Sequence, residues 1–272
     1  MHPESLPQEI DEQSVSGSVT TAESSTGALG RLGGRLWYWW SLFVAAMHLL
    51  VLGVPVLTVA RLANRPYWVY PFALFGARNW LRLSGARVRT TGLENLDPRE
   101  TYVFVANHRS FLDTAALFGR LGRRIGILAK KELLKVPVMG YGMGFVNILA
   151  IDRTSRERAA KTMKAATDRL HAGVSIGVFA EGTRARPGQL LPFKKGAFYM
   201  ARDAGVRVVP VAMKGTDELM GKGTGVARPG TFEMKILPPV ETAWVETDED
   251  VRRLAEQTNA IIAEELGLGS RK

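Results

Sequence analysis

The sequence predicts an α/β fold in which a mixed sheet is flanked by helices and preceded by an N-terminal membrane-associated helical hairpin. Two observations lead to this prediction. After residue 86, short apolar runs alternate with amphipathic helical patterns, which is typical of a sheet covered by helices on both faces. Before that point, residues 37–60 form a run of 24 positions without a charged side chain. As a helix this run would be about 36 Å long, enough to cross a hydrocarbon core of about 30 Å.

The chain divides into three predicted parts. Residues 1–30 are rich in Ser, Thr, Gly and Glu and have few large apolar side chains, so they are expected to form a disordered tail. Residues 31–85 form the hairpin, and residues 86–272 form the α/β domain. Within this domain, strands are predicted at 87–91, 101–106, 125–129, 175–179, 207–212 and 231–237, and helices at 155–171 and 248–266.

The hairpin prediction depends on aromatic residues as well as on length. Residues 37–40 read Trp-Tyr-Trp-Trp, a cluster typical of the membrane interface, and residues 67–83 form a second aromatic segment. Pro55 is expected to kink the first helix. A membrane hairpin or interfacial anchor is favoured over a buried pair of core helices. Arginines flank both ends of the first segment equally, so they do not decide its orientation; these are Arg31, Arg35, Arg61 and Arg65.

Charge and composition narrow the classes of function. The net charge is +10, and residues 109–202 carry 18 Lys or Arg against 6 Asp or Glu, which favours a polyanionic partner. Anionic lipid, a phosphorylated substrate, an acidic carrier protein and nucleic acid all meet that description. The absence of cysteine excludes disulfides and thiolate catalysis. No pair of histidines has metal-ligand spacing and no nucleotide-binding glycine motif occurs, so neither a metal nor a nucleotide cofactor is predicted.

His108 and Asp113 form the first candidate catalytic element. They follow the buried strand predicted at 101–106, and the orienting acid is the fifth residue after the base. Histidine suits this role because it titrates near neutral pH, and a carboxylate on one ring nitrogen fixes the tautomer. Ser110 lies between them and raises the alternative of a covalent triad. No nucleophile elbow surrounds it, so a helix N-cap is the favoured role for Ser110.

A second loop follows the strand predicted at 175–179 and reads Glu181-Gly182-Thr183-Arg184. Gly182 allows the backbone to approach a ligand closely, and Arg184 is able to pair with a phosphate through two hydrogen bonds. Glu181 is expected to hold the loop, because a carboxylate that faced a phosphate would repel it. The sequence therefore predicts that this element binds a phosphorylated acceptor.

These two loops, taken with other blocks, resemble the glycerolphosphate acyltransferase family, most closely its 1-acylglycerol-3-phosphate O-acyltransferase branch. The other blocks are Lys130-Lys131-Glu132, Pro137, Gly140, Ile151-Asp152-Arg153 and Val209-Pro210-Val211. They occur in the order typical of the family over roughly residues 85–215. Ala180 stands where family members often have proline, which concerns only the local geometry of the second loop.

The resemblance implies the chemistry. A fatty acyl chain would pass from acyl-CoA or acyl carrier protein to 1-acylglycerol 3-phosphate, giving phosphatidic acid without an acyl-enzyme. His108 would act as the general base and Asp113 would orient it. The element 181–184 would contact the glycerol phosphate, with Lys131 and Arg153 as further cations. The acyl donor is a co-substrate, and no other cofactor is implied.

Location and alternatives complete the predictions. The acceptor lipid lies in the bilayer and both donors are cytoplasmic, so the protein is expected at the cytoplasmic face of the cell membrane, against an anionic lipid surface. One alternative is acylation of glycerol 3-phosphate, another lysophospholipid or a lyso-aminolipid. Another is a non-catalytic membrane-tethered protein that binds anionic lipid or nucleic acid. The His108–Asp113 pair argues against a non-catalytic protein. Residues 109–202 lack the aromatic platform that would bind bases, so no nucleic-acid partner is predicted.

Overall fold

In a computed structural model, which describes residues 22–152 and 154–268, the centre of the protein is a seven-stranded sheet of order β1-β7-β6-β2-β5-β3-β4. Strands β2 to β6 run parallel to one another, whereas β7 is antiparallel to β6 and parallel to β1. The predicted mixed sheet is confirmed. The strands are β1 Ala86–Thr91, β2 Val103–Ala106, β3 Ile125–Lys130, β4 Ile148–Ile151, β5 Ser175–Phe179, β6 Val208–Lys214 and β7 Gly230–Ile236.

Six of these strands lie where the sequence predicts them, and β4 was not predicted. It has only four residues, lies at the edge of the sheet and is half-buried along its length. A run this short cannot be distinguished by its pattern from a turn of apolar helix. Pairing with β3, from Ile127 opposite Ile148 to Lys130 opposite Ile151, makes it a strand.

Helices cover both faces of the sheet. The helices are α1 Ala22–His48, α2 Val54–Leu62, α3 Val69–Leu83, α4 Phe111–Arg120, α5 Met139–Gly142, α6 Arg156–His171, α7 Gly196–Ala204, α8 Thr216–Met220 and α9 Asp248–Glu265. Strand β2 shows how the core is divided: Phe104 and Ala106 pack with α3 and α4 on one face, while Val103 and Val105 pack with α6, α7 and α9 on the other. Successive side chains of a strand point to opposite faces, so a fully apolar strand is buried between two helical layers.

The N-terminal segment is a long helix with one irregular turn. Helix α1 passes through a π-helical turn, Leu49–Gly53, directly into α2. Pro55 explains this turn, because proline donates no backbone hydrogen bond and its ring crowds the carbonyl four residues earlier, at Val51. Residues 1–21 of the predicted tail lie outside the described residues. The predicted boundary at residue 30 is wrong, because residues 22–30 belong to helix α1. Extending an existing helix costs far less than nucleating one, so the apolar helix continues into this polar stretch.

Helix α3 returns along this long helix and completes a helical hairpin. One face of α3 packs against α4, and Leu81 on this face is inaccessible to solvent. The indole N–H groups of Trp37 and Trp40 donate to the carbonyls of Ser84 and Leu83, at 3.0 and 3.1 Å. These carbonyls lack partners within the helix, so the aromatic cluster 37–40 caps the end of α3.

The two arms of the hairpin differ in burial. Gly27–Leu62 is, within the described part of the chain, the one helix apolar and long enough to cross a membrane, and only 11% of its most apolar window is buried. The core helix of a soluble protein would be mostly buried. The long arm therefore exposes its apolar surface, whereas α3 joins the core of the α/β domain and anchors the hairpin to it.

Candidate active site

The end of β2 fixes the position of His108. Asn107 directly follows β2. Its side-chain amide donates to the carbonyl of Met213 in the neighbouring strand β6 at 2.9 Å, and its amide oxygen accepts from Met213 N at 2.7 Å. Asn107 is fully buried. The chain therefore leaves the sheet at a defined point, and His108 projects at the edge where the carboxyl ends of the five parallel strands meet.

His108 and Asp113 are in direct contact. His108 Nδ1 lies 2.9 Å from Asp113 Oδ2, and the imidazole is partly exposed whereas the carboxylate is inaccessible to solvent. The same oxygen accepts from the backbone N–H groups of Arg109 and Ser110, each at 2.7 Å. Because Asp113 accepts, Nδ1 carries the proton and Nε2 is the nitrogen able to receive one. The ring of Phe179 stacks on the imidazole with centroids 4.1 Å apart, which fixes the plane of the His108 ring.

Ser110 is occupied structurally. It is the N-cap of α4: its hydroxyl accepts from Leu112 N and donates to Met220 O at 2.7 Å, and it shares a capping box with Asp113. Its side chain is fully buried. The predicted N-cap role is confirmed, and the hydroxyl donates its proton to a carbonyl and not to His108. The covalent triad would require a hydrogen bond from the Ser110 hydroxyl to His108, and this bond is not formed.

Glu181 joins the second loop to the first. Its carboxylate accepts from the backbone N–H of His108 at 2.6 Å and from that of Leu191 at 2.9 Å. Ala185 N donates back to His108 O at 2.7 Å. Burial raises the pKa of the Glu181 carboxyl, while the hydrogen bonds from His108 and Leu191 oppose that rise. Glu181 thus braces the backbone of the base, as expected of a residue that holds the loop.

Replacing Glu181 with glutamine is expected to lower kcat about tenfold and the free energy of unfolding by about 1–2 kcal/mol. A glutamine side chain has one acceptor oxygen, so it cannot accept from both His108 N and Leu191 N. Steady-state turnover and thermal unfolding measure the two effects. Glu218→Gln, an exposed position on α8, is the matched control and should leave both unchanged. Wild-type turnover in the Glu181 variant would show that the brace does not matter for the base.

Arg184 lies on the same loop as Glu181, next to Ala185, whose N–H donates to His108 O. Its guanidinium carbon is 3.8 Å from the ring centroid of Phe111, the first residue of α4, and Lys222 Nζ donates to its backbone oxygen at 2.5 Å. Gly182 has a φ of +75°, a conformation that favours glycine, and it turns the chain between Glu181 and Arg184. Thr183, at the outside of this turn, is exposed. An arginine supported by an aromatic ring presents its edge to an incoming oxyanion.

The other two predicted cations lie at different places. Lys131 follows β3, which is two strands from β2, or roughly 10 Å along the same edge of the sheet. Its Nζ lies 2.8 Å from Asp152 Oδ1 and 3.1 Å from Thr154 Oγ1, and this pairing lowers the pKa of Asp152. Arg153 lies outside the described residues. The structure therefore does not bring Lys131 into contact with His108.

Arg109 is a site residue that the sequence reasoning did not single out. It is 5% exposed, its Nε donates to Gln189 O at 2.8 Å, and its Nη1 lies 3.4 Å from Asp217 Oδ2. Asp217 also accepts from Gly188 N at 3.0 Å. Arg109 therefore fastens the end of the second loop to α8, and its place between His108 and Ser110 was the only sequence signal for it.

Together these contacts define a site for activating a hydroxyl group. A buried carboxylate orients a partly exposed imidazole, and an arginine on the adjoining loop marks where an anionic substrate would lie. Among the described residues, no group of three or more His, Cys, Asp or Glu side chains is placed to hold a metal ion.

Comparison with known proteins agrees with this class of site. A family model described as acyltransferase matches residues 87–214. The mouse 1-acyl-sn-glycerol-3-phosphate acyltransferase alpha is 33% identical over 219 residues, 80% of this chain and 74% of that protein. The chloroplastic relative BAT2 of Brassica napus, with the same activity in its name, is 34% identical over 174 residues, 62% of this chain and half of its own length.

A solved structure shares the fold. The 1-acyl-sn-glycerophosphate (LPA) acyltransferase PlsC from Thermotoga maritima superimposes with a TM-score of 0.74 and 27% identity, covering 89% of this chain and 99% of that one. The chain belongs to the acyltransferase family, and the resemblance seen in its motifs, to 1-acylglycerol-3-phosphate acyltransferases, is confirmed.

Proposed function

We propose that the protein is a membrane-associated acyltransferase that moves a fatty acyl chain from a thioester donor, acyl-CoA or acyl carrier protein, to the free hydroxyl of 1-acylglycerol 3-phosphate. The product is phosphatidic acid. The contact between His108 Nδ1 and Asp113 Oδ2, at the edge of the sheet where the 181–184 loop also ends, carries the proposal. The names of the relatives support this choice of acceptor.

The proposed reaction needs one base and no covalent enzyme intermediate. The acceptor hydroxyl attacks the thioester carbonyl carbon while His108 Nε2 takes its proton, and Asp113 stabilises the resulting imidazolium through Nδ1. The tetrahedral intermediate then collapses, the C–S bond breaks, and the leaving thiolate takes the proton from Nε2. The protein ends the cycle unchanged.

The phosphate of the acceptor is proposed to bind Arg184, with Lys131 and Arg153 as further cations. The guanidinium of Arg184 lies over the ring of Phe111, which supports it. Gly182 lets the loop backbone approach the glycerol. Glu181 supports the loop, and exposed Thr183 lies at its outer turn. The hairpin would hold this edge at the cytoplasmic face of the cell membrane, where donor and acceptor meet.

The proposed activity is tested with the purified full-length protein, a panel of lysophospholipids and glycerol 3-phosphate, each with acyl-CoA and with acyl carrier protein as donor. Phosphatidic acid formed from 1-acylglycerol 3-phosphate is the expected principal product. A higher kcat/KM for glycerol 3-phosphate or for a zwitterionic lysophospholipid would contradict the proposed acceptor. The ratio of the two donor rates identifies the donor.

Arg184→Ala is expected to lower kcat/KM for the acceptor about 10- to 150-fold, which corresponds to about 1.5–3 kcal/mol for a lost charge-assisted contact. Arg184→Lys should also be impaired, because an ammonium does not reproduce the two parallel bonds of a guanidinium. Kinetics with each substrate varied in turn measure the effect.

The matched control is Arg186→Ala, an exposed arginine two residues along the same loop, which should change neither KM. The KM for the donor should also stay the same in the Arg184 variants. If Arg184→Ala weakened only the donor, the loop would belong to the donor site and the acceptor assignment would be wrong.

A further inference from the structure

A second basic surface lies away from the catalytic edge, in a groove between the hairpin and the α/β domain. Its volume is about 910 Å³, and helix α3, the start of β1, the end of α4 and the start of β7 form its walls. Four arginines line it, and no Asp or Glu side chain is among its described lining residues; the arginines are Arg78, Arg82, Arg87 and Arg120.

The four arginines line one groove, and none of its described lining residues is a carboxylate that would neutralise them. Arg78 donates to the carbonyl of Gly119 at 2.8 Å, so its position is fixed against the end of α4. Within the described part of the chain, the guanidinium groups of Arg82, Arg87 and Arg120 make no ion pair or hydrogen bond, and all three residues are exposed. Like charges gathered at one place repel one another, and an anion that bridges them removes that cost.

The turn between α3 and β1 fixes this arrangement. Gly85 has a φ of +69°, and a side chain there would put its Cβ 2.6 Å from the Cβ of Pro229, so the chain turns tightly at this point. The carbonyls before the turn accept from Trp37 and Trp40 of the hairpin. The backbones of Arg82 and Arg87, on either side of the turn, are therefore fixed beside one groove by contacts with the hairpin.

Apolar side chains border the same groove. Phe75 lines it and is 54% exposed, and Phe72, one turn earlier on α3, is 48% exposed. A soluble polyanion would gain nothing from exposed aromatic rings, whereas a lipid presents an anionic headgroup beside apolar chains. The combination of arginines and aromatic rings matches a phospholipid.

We propose that this groove binds the headgroup of an anionic phospholipid and so seats the α/β domain on the membrane surface. The site is separate from the catalytic one: α4 begins beside His108 and ends at Arg120, and its ten residues span about 15 Å. The inference rests on the membrane association in the proposed function, but not on acyl transfer.

The test uses the full-length protein in non-ionic detergent micelles that contain increasing mole fractions of either phosphatidylglycerol or phosphatidylcholine. Thermal unfolding reports binding, because a ligand of the native state raises Tm. Phosphatidylglycerol should stabilise the wild type and phosphatidylcholine should not. Arg82→Gln/Arg87→Gln should need roughly 10- to 30-fold more phosphatidylglycerol for half of the stabilisation, which is about three- to fivefold for each charge near the surface.

The control removes the same charge on the opposite face of the sheet. Lys161→Gln/Lys164→Gln changes two exposed residues of α6 and should shift the half-saturating mole fraction by less than about twofold. Equal shifts in the two double variants would mean that net charge and not the groove attracts the lipid, and the inference would fail. Soluble glycerol phosphate at the same concentration should stabilise the wild type and the Arg82/Arg87 variant equally, because it lacks the apolar chains; if it favoured the wild type as strongly as phosphatidylglycerol does, the groove would be a phosphate site without lipid selectivity and the inference would fail.

Acyl transfer in the same micelles separates this inference from the proposed function. The Arg82/Arg87 variant should keep the wild-type kcat and the wild-type KM for the acceptor. A rise in that KM equal to the shift in phosphatidylglycerol binding would make the groove part of the acceptor site and overturn the inference. Selective phosphatidylglycerol binding by a wild type that acylates none of the acceptors would overturn the proposed function alone.

Discussion

His108→Ala is expected to lower kcat by roughly 10²–10⁴-fold, the range typical of a lost acid–base group. The acceptor hydroxyl would still bind, but no side chain at this edge would remove its proton. The fold should be retained, because the bonds that fix residue 108, from its N–H to Glu181 and from Ala185 to its carbonyl, belong to the backbone. Steady-state turnover at saturating substrates measures the effect, and thermal unfolding checks the fold.

The matched control for this substitution is His171→Ala, at an exposed histidine in the last turn of α6. Its turnover should equal that of the wild type. If a well-folded His108→Ala protein kept near-normal kcat, the base would be a different group and the proposed mechanism would be wrong.

Asp113→Asn should lower kcat by roughly 10²–10⁴-fold and also destabilise the protein by about 1–3 kcal/mol. Asp113 Oδ2 accepts from His108 Nδ1 and from two backbone N–H groups, so its loss affects both the imidazole and the start of α4. A neutral amide cannot stabilise the imidazolium as a carboxylate does. The KM for the acceptor should change little, because Asp113 is buried and does not face the substrate.

Asp250→Asn separates the two effects of Asp113. Asp250 occupies the equivalent place in the capping box of α9, where Thr247 is the N-cap, but it lies far along the chain from the catalytic loop and orients no base. This variant should lose stability and keep its kcat. If Asp113→Asn lowered kcat no more than Asp250→Asn does at equal loss of stability, Asp113 would act only as part of the helix cap.

Much of the site was predictable because parallel strands place their carboxyl ends at one edge of a sheet. The sequence showed two apolar runs followed by polar loops, 101–106 before His108 and 175–179 before Glu181, and both loops were identified as candidate site elements. The hydrogen bond between Glu181 and the backbone of His108 shows that the two loops meet. The pairing of His108 with Asp113 was also predictable, because both residues lie at the start of one helix, α4.

Other features depended on partners distant in the chain. The role of Arg109 rests on Gln189 and Asp217, 80 and 108 residues away. The tryptophans at 37 and 40 fit an interfacial belt by composition, but they also cap α3 more than 40 residues later. Helix α7, Gly196–Ala204, was not predicted.

By itself, the sequence determined six of the seven strands along the chain, the long apolar helix and the residues that are proposed to perform the chemistry. These depend on side-chain periodicity and on contacts within a few residues. Only the tertiary structure decided the order of strands across the sheet, the burial of Arg109 and the gathering of four arginines in one groove. The physical reason is that hydrophobic burial is not directional, so periodicity shows which face of an element is covered but not which element covers it.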